Sequence, residues 1–573
     1  MHANWTTTDI DEPQVNALAA ALGISPVTAT LLVARGHGTP EAARTFLSPS
    51  LAGLRPPHRL FGMDTAVERL IRAITHDEMI FICGDYDADG ITSTALLVTF
   101  LQSTGAKVGW HLPHRVSDGY GFHASQVTEH AHPAGAKVII TVDCGSTSFE
   151  AVEAAKSCGI DVIITDHHTT GDTLPEALAI INPKQPACES GMQDLAGVGV
   201  AFYLAVALRK GLRDINHWGK KGEPNLKALC DMVALGTIAD IVPLTGENRI
   251  LTRAGLDMIN QKTRPGIVSL LTASKVTAQE VGAEDIAFRL APRINAAGRM
   301  DNAQVGLDLM LATSQKQAAP IAKELCRLNT QRQDTEAQIF EEIVDYINES
   351  PGLLDRKSFV LAKNGWHPGV LGIVASRVVR EYGKPAFVIS VDARGLGKGS
   401  GRSIPGVDLY QALKSTADTL ERFGGHRQAA GLQLQASRIV EFHRRLEAHL
   451  SESTTDDDYI TTLPADARLP LSEITPALID ELETLAPFGE GNREPLFIAE
   501  NIPVLSSSEV GRGHRRYLLD TSGNSHLNKC MAIRFNHPGG PPEKRISRCL
   551  YTLRWNRWNG SKSPQLQIHD MEV

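Results

Sequence analysis

The sequence predicts an α/β protein with a parallel-sheet domain, a second α/β domain joined to it by a long helix, and a C-terminal β-barrel. Between residues 61 and 316, short apolar, β-branched runs alternate with helix-like segments, which is typical of a parallel sheet covered on both faces. A helical pattern follows over residues 317–350, and short β-like runs with turn signals follow residue 451. With 573 residues, 42% of them hydrophobic, the chain can form several domains that each bury a core.

The domain boundaries follow these changes of pattern. Strands of the first sheet are expected at the runs MIFIC, KVGWHLP, AKVIITVDCG and IDVIITDHH, with helices between them. The predicted order is an N-terminal helical arm at 1–60, the parallel-sheet domain at 61–316, a connecting helix at 317–350, the second α/β domain at 351–450, and the barrel at 451–573. The acidic run SESTTDDD is expected to be a linker, and an ordinary domain helix is an equally good interpretation of 317–350.

The charge of the chain is unevenly distributed. The formal net charge of −8 argues by itself against a polyanionic ligand. Between Gly511 and Lys562, eleven Lys and Arg stand against two acids, which leaves −17 for the rest of the chain. Arginines and aromatic residues alternate there as in proteins that follow a phosphate backbone and stack bases, so a nucleic-acid-binding OB-fold is expected. The candidate contacts are Tyr517, Arg554, Trp555, Arg557 and Trp558, with a solvated face and core tryptophans as the alternative.

Composition also bears on the cellular compartment. No apolar run approaches the roughly 20 residues of a membrane span, and MHANWTTTDIDEP lacks the basic and apolar stretches of a signal peptide. The eight cysteines include no CxxC pair, so neither a zinc knuckle nor a disulfide framework is expected. We therefore expect a cytoplasmic protein that does not associate with a membrane.

Three carboxylates directly follow the apolar run MIFIC. Asp85, Asp87 and Asp89 lie within five residues, and so close a group becomes tolerable when a divalent cation neutralises it. An EF-hand loop also begins Asp-x-Asp-x-Asp-Gly, but here Leu96 holds the twelfth position and a strand replaces the preceding helix. A solvated acidic turn remains the alternative for this motif taken alone.

Acids and imidazoles recur after later apolar runs. VIITVDCGS places Asp143 at a strand end, and VIITDHHTT places Asp166, His167 and His168 at the next one. In VALGTIADIVPL a single carboxylate, Asp240, stands in an apolar run, where it needs a metal, a base or dense hydrogen bonding. Imidazole with carboxylate suits Mn²⁺, Zn²⁺ or Fe²⁺ better than Ca²⁺, while Mg²⁺ favours oxygen alone. Groups from four expected strand ends suffice for two cations, the arrangement that hydrolyses phosphoesters.

In this order and spacing, DYDADG, VDCG, DHH and GTIADIVPL resemble the motifs of the DHH phosphoesterases. GWHPGVLGIVASR, GSGRSIPG and FGGHRQAAGL resemble the DHHA1-type substrate-binding domain that accompanies them. With an OB-fold-like barrel, the layout is similar to the members of that family that act on single-stranded DNA. The resemblance implies a 5′→3′ exodeoxyribonuclease that releases 5′-mononucleotides with two Mn²⁺ or Mg²⁺ ions and acts in DNA recombination and repair.

The resemblance also assigns roles to individual residues. The metal ligands it implies are Asp85, Asp87, Asp89, Asp143, His167 and Asp240, with His168 as a catalytic residue or further ligand. Many DHH enzymes carry His where this chain has Cys83, so Asp85 is expected to substitute for it. Arg299 is implied to face the scissile phosphate, its alternative being a surface salt bridge.

A phosphate pocket is expected in the second α/β domain. Ser400, Arg402 and Ser403 in GSGRSIPG offer a guanidinium, hydroxyls and free amides, a common way to bind phosphate. The resemblance adds Arg115 and makes this the pocket for a terminal 5′-phosphate. It also implies that His426 in GGHRQAAG acts in catalysis or donates a hydrogen bond to a phosphate. The residues alone favour a packing turn there.

Two alternatives to the exonuclease stay open. One is a DHH phosphodiesterase that acts on short oligonucleotides or cyclic dinucleotides, which the basic barrel disfavours. The other is an inactive DNA-binding scaffold, which the intact motifs disfavour. Single-stranded DNA is the expected ligand, and the resemblance implies a single-strand-binding protein and a helicase as partners of a monomeric enzyme.

Overall fold

A computed structural model describes the chain except residues 1–3, 8–9, 220–221, 461, 512, 522, 524–526, 528, 538–542 and 559–560 and the side chains of Asn4 and Trp558. The chain forms two compact units. The central unit comprises Leu54–Val242 and Gly246–Ile460, and the terminal unit comprises Met1–Gly53, Pro243–Thr245 and Thr461–Val573.

Strands and helices are numbered in chain order. The strands are β1 (Asn4–Thr7), β2 (Met79–Gly84), β3 (Lys107–His111), β4 (Ala136–Val142), β5 (Asp161–Thr165), β6 (Ala179–Ile181), β7 (Phe359–Asn364), β8 (Ala386–Val391), β9 (Leu396–Arg402), β10 (Arg422–His426), β11 (Ala429–Gln435), β12 (Thr462–Ala465), β13 (Ala467–Arg468), β14 (Phe497–Val510), β15 (His514–Asp520), β16 (Lys529–Arg534), β17 (Arg545–Trp558) and β18 (Ser561–Glu572).

The helices are α1 (Glu12–Leu22), α2 (Pro26–Ala34), α3 (Pro40–Leu47), α4 (Met63–Thr75), α5 (Ala88–Ser103), α6 (Phe149–Ser157), α7 (Gly197–Asp214), α8 (Cys230–Ala239), α9 (Gly246–Asn260), α10 (Pro265–Ala273), α11 (Ala283–Asp285), α12 (Ala291–Met300), α13 (Gln304–Leu311), α14 (Gln315–Glu349), α15 (Leu371–Tyr382), α16 (Leu409–Ser415), α17 (Ile439–Ser453) and α18 (Pro476–Thr484). In the part of the chain that the structure describes, no single helix is long and apolar enough to cross a membrane, and only the bent pair α1 and α2 passes that test jointly.

The first sheet of the central unit is entirely parallel and has the strand order β3-β2-β4-β5-β6. Its central strands β2, β4 and β5 are buried along nearly their whole length, because helices cover both faces. The predicted parallel-sheet fold is confirmed. Since all the strands point the same way, the loops after β2, β4 and β5 meet at one edge of the sheet.

The long helix α14 joins the two α/β parts of the central unit. Its first half buries Leu325 and Leu328 beside α10, α12 and α13, and its second half buries Ile339, Ile343 and Ile347 in a core with β7 and β8. The second sheet has the order β10-β11-β9-β8-β7, with only β7 and β8 parallel. The acidic run SESTTDDD, expected to be a linker, instead forms the last residues of α17 and a turn in which Thr455 and Asp458 cap each other.

The barrel of the terminal unit is closed. Its strand order is β14-β15-β16-β18-β17, and β17 pairs back to β14, the five-stranded order of an OB-fold. Helices α1 to α3, for which the sequence predicts a small cap or arm, contribute Leu18, Leu31 and Phe46 to one core with Tyr517 and Tyr551 of the barrel. Strand β1 also pairs in parallel with β12. The first 53 residues therefore belong to the barrel's unit.

Candidate metal centre and phosphate pocket

The loop after β2 places three carboxylates at the edge of the first sheet. Asp87 caps α5, because its Oδ1 accepts hydrogen bonds from the backbone N–H groups of Asp89 (2.9 Å) and Gly90 (3.1 Å). Position 90 requires glycine, since a Cβ there would lie 2.5 Å from the carbonyl oxygen of Asp85. The tight turn that results directs Asp85 and Asp89 into the protein, where both are buried.

Asp89 is also held from the opposite side. Its two carboxylate oxygens accept hydrogen bonds from the backbone N–H groups of Gly197 (2.7 Å) and Val198 (2.9 Å) at the start of α7. A helix N-terminus carries partial positive charge, so this contact stabilises the carboxylate and fixes its orientation. Asp89 is therefore positioned before any cation binds.

Asp143 follows β4 in the left-handed region, with a φ of 60°. Gly197 packs against it so closely that a Cβ at position 197 would lie 2.7 Å from Asp143 Oδ1. The next loop, after β5, brings His167 Nε2 to 3.1 Å from the same Asp143 oxygen. The adjacent strands β4 and β5 thus deliver an imidazole and a carboxylate to one point, as the strand-end argument predicts.

Asp240 reaches this point from a helix and not from a strand end. The apolar run VALGTIA forms α8, and Asp240 is the residue that ends this helix. Its Oδ2 lies 3.4 Å from His167 Nε2. The prediction that Asp240 follows a strand is wrong, because a fully buried helix and a fully buried strand have the same continuous apolar composition.

The side chains form three overlapping groups that could each hold a cation. In each group the possible ligand atoms all lie within 4.8 Å of one another; the groups are Asp85, Asp87 and Asp143; Asp89, His167 and Asp240; and Asp143, His167 and His168. Asp85 Oδ1, Asp143 Oδ1, His167 Nε2 and Asp240 Oδ2 are buried without a hydrogen-bond partner. Buried polar atoms normally have partners, so these atoms fit metal coordination.

The electrostatics of the cluster point to the same need for positive charge. Burial, followed by repulsion from neighbouring carboxylates, raises the pKa of Asp143 well above its ordinary value. The same causes raise the pKa of Asp89 to about 7 and that of Asp240 to about 9. Burial and the neighbouring His168 lower the pKa of His167 to about 3, which leaves its ring neutral and able to act as a ligand.

His168 is positioned by Asp166 and Tyr120. Its Nδ1 lies 2.8 Å from Asp166 Oδ1 and 2.9 Å from the Tyr120 hydroxyl. Burial opposes protonation of His168, but the hydrogen bond and charge of Asp166 outweigh it and raise the pKa of the ring. Sequence reasoning gave Tyr120 no role, and only its place in the glycine-flanked SDGYG could have suggested one.

Arg115 and Arg299 adjoin the carboxylate cluster, and Arg402 lies near both of them. Burial, followed by Arg115, lowers the pKa of both Arg402 and Arg299, the latter to about 9, so these cations repel one another. Arg115 stacks 4.6 Å from the ring centroid of the buried Tyr86, beside Asp85 and Asp87. Among the described residues none of the three arginines forms an ion pair. Converging cations with no carboxylate partner are suited to bind a phosphate.

Nearby backbone groups and glycines hold Arg299 and Arg402 in place. Arg299 donates to the carbonyl oxygen of Gly369 (3.1 Å), and Gly298 lies so close to Tyr86 that a Cβ there would be 2.5 Å from its carbonyl oxygen. Arg402 passes over Gly372, where a Cβ would lie 2.9 Å from its Nη2. The NAAG and VLG sequences therefore provide the space that these arginines occupy.

The remaining residues proposed for the phosphate pocket differ in how exposed they are and in whether their polar groups already form hydrogen bonds. Ser400 is half-buried on β9, two residues before Arg402. Ser403 uses its hydroxyl to donate to the carbonyl oxygen of Val407 (2.9 Å). His426 is exposed at the end of the edge strand β10, where its Nδ1 accepts from the backbone N–H of Gln428 (3.3 Å). His426 and Arg402 both register with Ala429, so they lie at the same end of the second sheet.

Cys83 lies on β2 in the core of the first sheet, with no exposed surface, and burial raises the pKa of its thiol. It belongs to none of the three possible ligand groups, whereas Asp85 belongs to one.

The aromatic residues proposed to stack bases on the barrel are less available than the sequence suggests. Tyr517 is fully buried in the core, which corrects the expectation that it contacts nucleic acid. Its period-two spacing with Leu519 in β15 was the available signal for an inward side chain. Trp555 is half-buried, and Arg554 and Arg557 both have side-chain partners, Gln567 and Glu483.

The fold and the carboxylate–imidazole cluster define a DHH phosphoesterase. The family model for the DHH family, N-terminal domain, matches residues 79–237, the DHHA1 domain matches 355–452, and the RecJ OB domain matches 465–570.

Comparisons over the whole chain show which DHH phosphoesterases this protein is similar to. The chain is 37% identical to the single-stranded-DNA-specific exonuclease RecJ of Salmonella typhimurium over 563 residues, which are 96% of each chain. It is also 37% identical to RecJ of Bacillus subtilis over 572 residues, which are 99% of this chain and 71% of the Bacillus protein. The crystal structure of Thermus thermophilus RecJ in complex with Mn²⁺ superposes with a TM-score of 0.84 at 31% identity, covering 100% of this chain and 79% of that one. The chain belongs to the RecJ family of single-stranded-DNA-specific exonucleases.

Proposed function

We propose that the protein is an exonuclease that degrades single-stranded DNA from the 5′ end to 5′-mononucleotides, in DNA recombination and repair, using Mn²⁺ or Mg²⁺. One observation carries this proposal: a buried carboxylate–imidazole cluster with unpartnered ligand atoms lies beside three unpaired guanidinium groups. The relatives named RecJ are specific for single-stranded DNA, and two Thermus thermophilus structures contain Mn²⁺ or Mg²⁺. A cation cluster and a phosphate pocket side by side are the parts that end-directed phosphodiester hydrolysis needs.

The residues proposed to hold the cations are Asp85, Asp87, Asp89, Asp143, His167 and Asp240. When bound, two divalent cations supply the positive charge that the buried carboxylates lack and make water more acidic near the scissile phosphate. Asp89 contributes a carboxylate already oriented by the start of α7, and the neutral His167 ring offers its Nε2 lone pair.

The arginine pocket accounts for polarity. Arg115, Arg402 and Ser400 are proposed to bind the terminal 5′-phosphate, with Ser403 shaping the turn that carries them. Arg299, whose charge adjoins Asp87, is proposed to neutralise the scissile phosphate as negative charge develops. A terminal phosphate held at a fixed distance from the cations permits only the first phosphodiester bond to react.

Two histidines complete the proposed site. Because Asp166 accepts a hydrogen bond from His168 Nδ1, the other ring nitrogen is left to donate to a phosphate oxygen or exchange a proton. His426 is exposed at the same sheet end as Arg402, and we propose that it donates to the phosphate of the bound strand.

The partners beyond single-stranded DNA follow from this role. We propose that a cytoplasmic monomer acts on strands prepared by a helicase and coated by a single-strand-binding protein. Arg554, Trp555 and Arg557 on the barrel are proposed to contact the single strand.

The test is a time course with internally labelled single strands and Mn²⁺, with and without a 5′-phosphate. We expect stepwise release of 5′-mononucleotides, faster with the phosphate, and no release by the Asp143→Asn variant. Asp172→Asn, at an exposed loop position, is the matched control and should keep full activity. Turnover by Asp143→Asn equal to that of the control would refute the metal assignment.

A parallel assay with a dinucleotide and a cyclic dinucleotide tests the second candidate. Faster turnover of these than of a long strand would favour a small-substrate phosphodiesterase. The basic barrel supports the long strand, since a dinucleotide needs no extended surface.

A further inference from the structure

Helix α18 presents two carboxylates to the cationic end of the β17–β18 ribbon, within the terminal unit. Asp480 Oδ1 accepts hydrogen bonds from Trp555 Nε1 (2.8 Å) and Lys562 Nζ (2.6 Å). Glu483 Oε2 accepts one from Arg557 Nη2 (2.6 Å). We call Asp480 and Glu483 the acidic clasp. Every partner of the clasp lies in the basic window that the sequence marks for nucleic acid.

The clasp side chains are exposed, whereas other side chains of their helix are packed. Leu478, Ile479 and Leu482 anchor α18 in the core, and Glu481 accepts hydrogen bonds from Ser25 and Thr28 on the opposite side. The clasp ion pairs themselves are open to solvent, with side-chain exposures between 38% and 58%. Exposed ion pairs contribute little to stability, so a phosphate can replace them at small cost.

The β17–β18 ribbon needs a negative partner at this place. Arg557 and Lys562 are directly opposed across the two strands, and like charges in opposed positions destabilise a sheet. The clasp supplies one carboxylate to each of them. A nucleic-acid backbone would supply negative charge to the same two cations.

The clasp also closes the face of Trp555. Lys562 lies 4.2 Å from the ring centroid of this indole, and Asp480 holds both groups through one oxygen. While that oxygen is engaged, Lys562 covers a surface on which a base could stack. When a phosphate draws Lys562 away, the indole face becomes accessible.

We propose that the acidic clasp stands in for the DNA backbone on the free barrel, and that single-stranded DNA binds there by displacing Asp480 and Glu483 from Lys562, Trp555 and Arg557. The clasp thus weakens barrel binding to short or incidental polyanions, while a strand long enough to reach it overcomes the competition. This inference rests on the proposed function, because it takes single-stranded DNA as the ligand.

The test measures binding of a 3′-labelled oligothymidine to the full chain in EDTA, where no hydrolysis occurs. Asp480→Asn and Glu483→Gln should each tighten binding about fivefold at 0.1 M salt and steepen the log–log salt slope by about 0.7, the value of one phosphate contact on a single strand. Glu473→Gln, an exposed position of the same unit, is the charge-matched control. It should change affinity by less than twofold.

A double-mutant cycle separates the clasp from general electrostatics. Arg557→Ala should weaken binding little in the parent protein, where Glu483 competes for Arg557, and about fivefold in the Glu483→Gln background. Additive effects, or clasp variants that bind no tighter than Glu473→Gln, would overturn the clasp. Absence of binding by the parent protein would instead overturn the single-stranded-DNA function, so the two failures are distinguishable. Melting curves verify that each variant is folded.

Discussion

Replacing Asp143 with Asn should abolish hydrolysis and at the same time stabilise the metal-free protein. Asp143 Oδ1 is buried without a hydrogen-bond partner, and the nearby carboxylates repel it. The substitution removes that charge, keeps the shape of the side chain, and adds no strain at the φ of 60°, which Asn tolerates well. A catalytic group that is unfavourable for folding is expected where a cation normally compensates it.

The size of the effect follows from the burial. An unsatisfied buried polar group costs about 1–3 kcal/mol, and a large domain gains about 2 °C in Tm per kcal/mol. We therefore expect the variant to melt about 2–6 °C above the parent protein in EDTA at pH 8. The pKa of Asp143 is raised in the folded state, so the folded protein binds more protons and the penalty grows as pH rises. The difference in Tm should shrink as the pH falls, because protonation of the Asp143 carboxyl in the parent protein removes the buried charge.

Differential scanning fluorimetry across pH, with EDTA or Mn²⁺, measures these differences. Mn²⁺ should raise the Tm of the parent more than that of Asp143→Asn, because the variant lacks one ligand. Asp172→Asn, with an exposed carboxyl, should melt like the parent under every condition. If metal-free Asp143→Asn melts below the parent at pH 8, the carboxylate is satisfied without a cation and the reasoning fails.

Three further predictions concern the pocket and the barrel. Arg402→Met should reduce the rate advantage of a 5′-phosphate over a 5′-hydroxyl at least about tenfold, measured as a kcat/KM ratio, because it removes one charged contact; an unchanged ratio would place that phosphate elsewhere. Gly298→Ala should lower the free energy of unfolding by about 1–3 kcal/mol in denaturant unfolding, since its Cβ would lie 2.5 Å from a backbone oxygen. At Gly282 an added Cβ would meet no heavy atom within 4 Å, so Gly282→Ala is the tolerated control. Equal losses of stability in the two variants would contradict the packing argument. In the Glu483→Gln background, substituting Arg554 and Arg557 together by Ala should flatten the salt dependence of DNA binding by about 0.7 per lost phosphate contact, and an unchanged slope there would exclude this face from the strand.

Much of the candidate site could be predicted from the sequence because its ligands come from sheet edges. A buried parallel strand has a plain signature, and its carboxyl end is a fixed place in the fold, so Asp85, Asp143 and His167 could be expected to meet. Asp240 was found by a different argument, the cost of an unpaired buried carboxylate. That argument holds for a helix as well as for a strand, so it marks Asp240 as a candidate ligand without indicating which element carries it.

The parts that could not be predicted depend on contacts between distant segments. No local pattern indicates that Leu18 and Tyr551 share a core, because both are ordinary apolar positions in their own elements. The clasp is equally hidden, since Asp480 lies 82 residues before Lys562 in a helix whose own pattern is unremarkable. Sequence charge counts locate the cations but not the acids that face them.

The pairing of the first strand with the barrel's unit makes the central unit an insertion. Trp5 donates its indole N–H to Asp570 (3.1 Å), across 565 positions of sequence. During synthesis, the apolar faces of helices α1 to α3 therefore stay uncovered until the barrel strands have been made. The central unit can fold earlier, on its own contacts. Folding of this chain is thus expected to proceed from the middle outward. In a circular permutant that joins the chain near Asp570 to the chain near Trp5, helices α1 to α3 should no longer be made long before the barrel strands that cover their apolar faces.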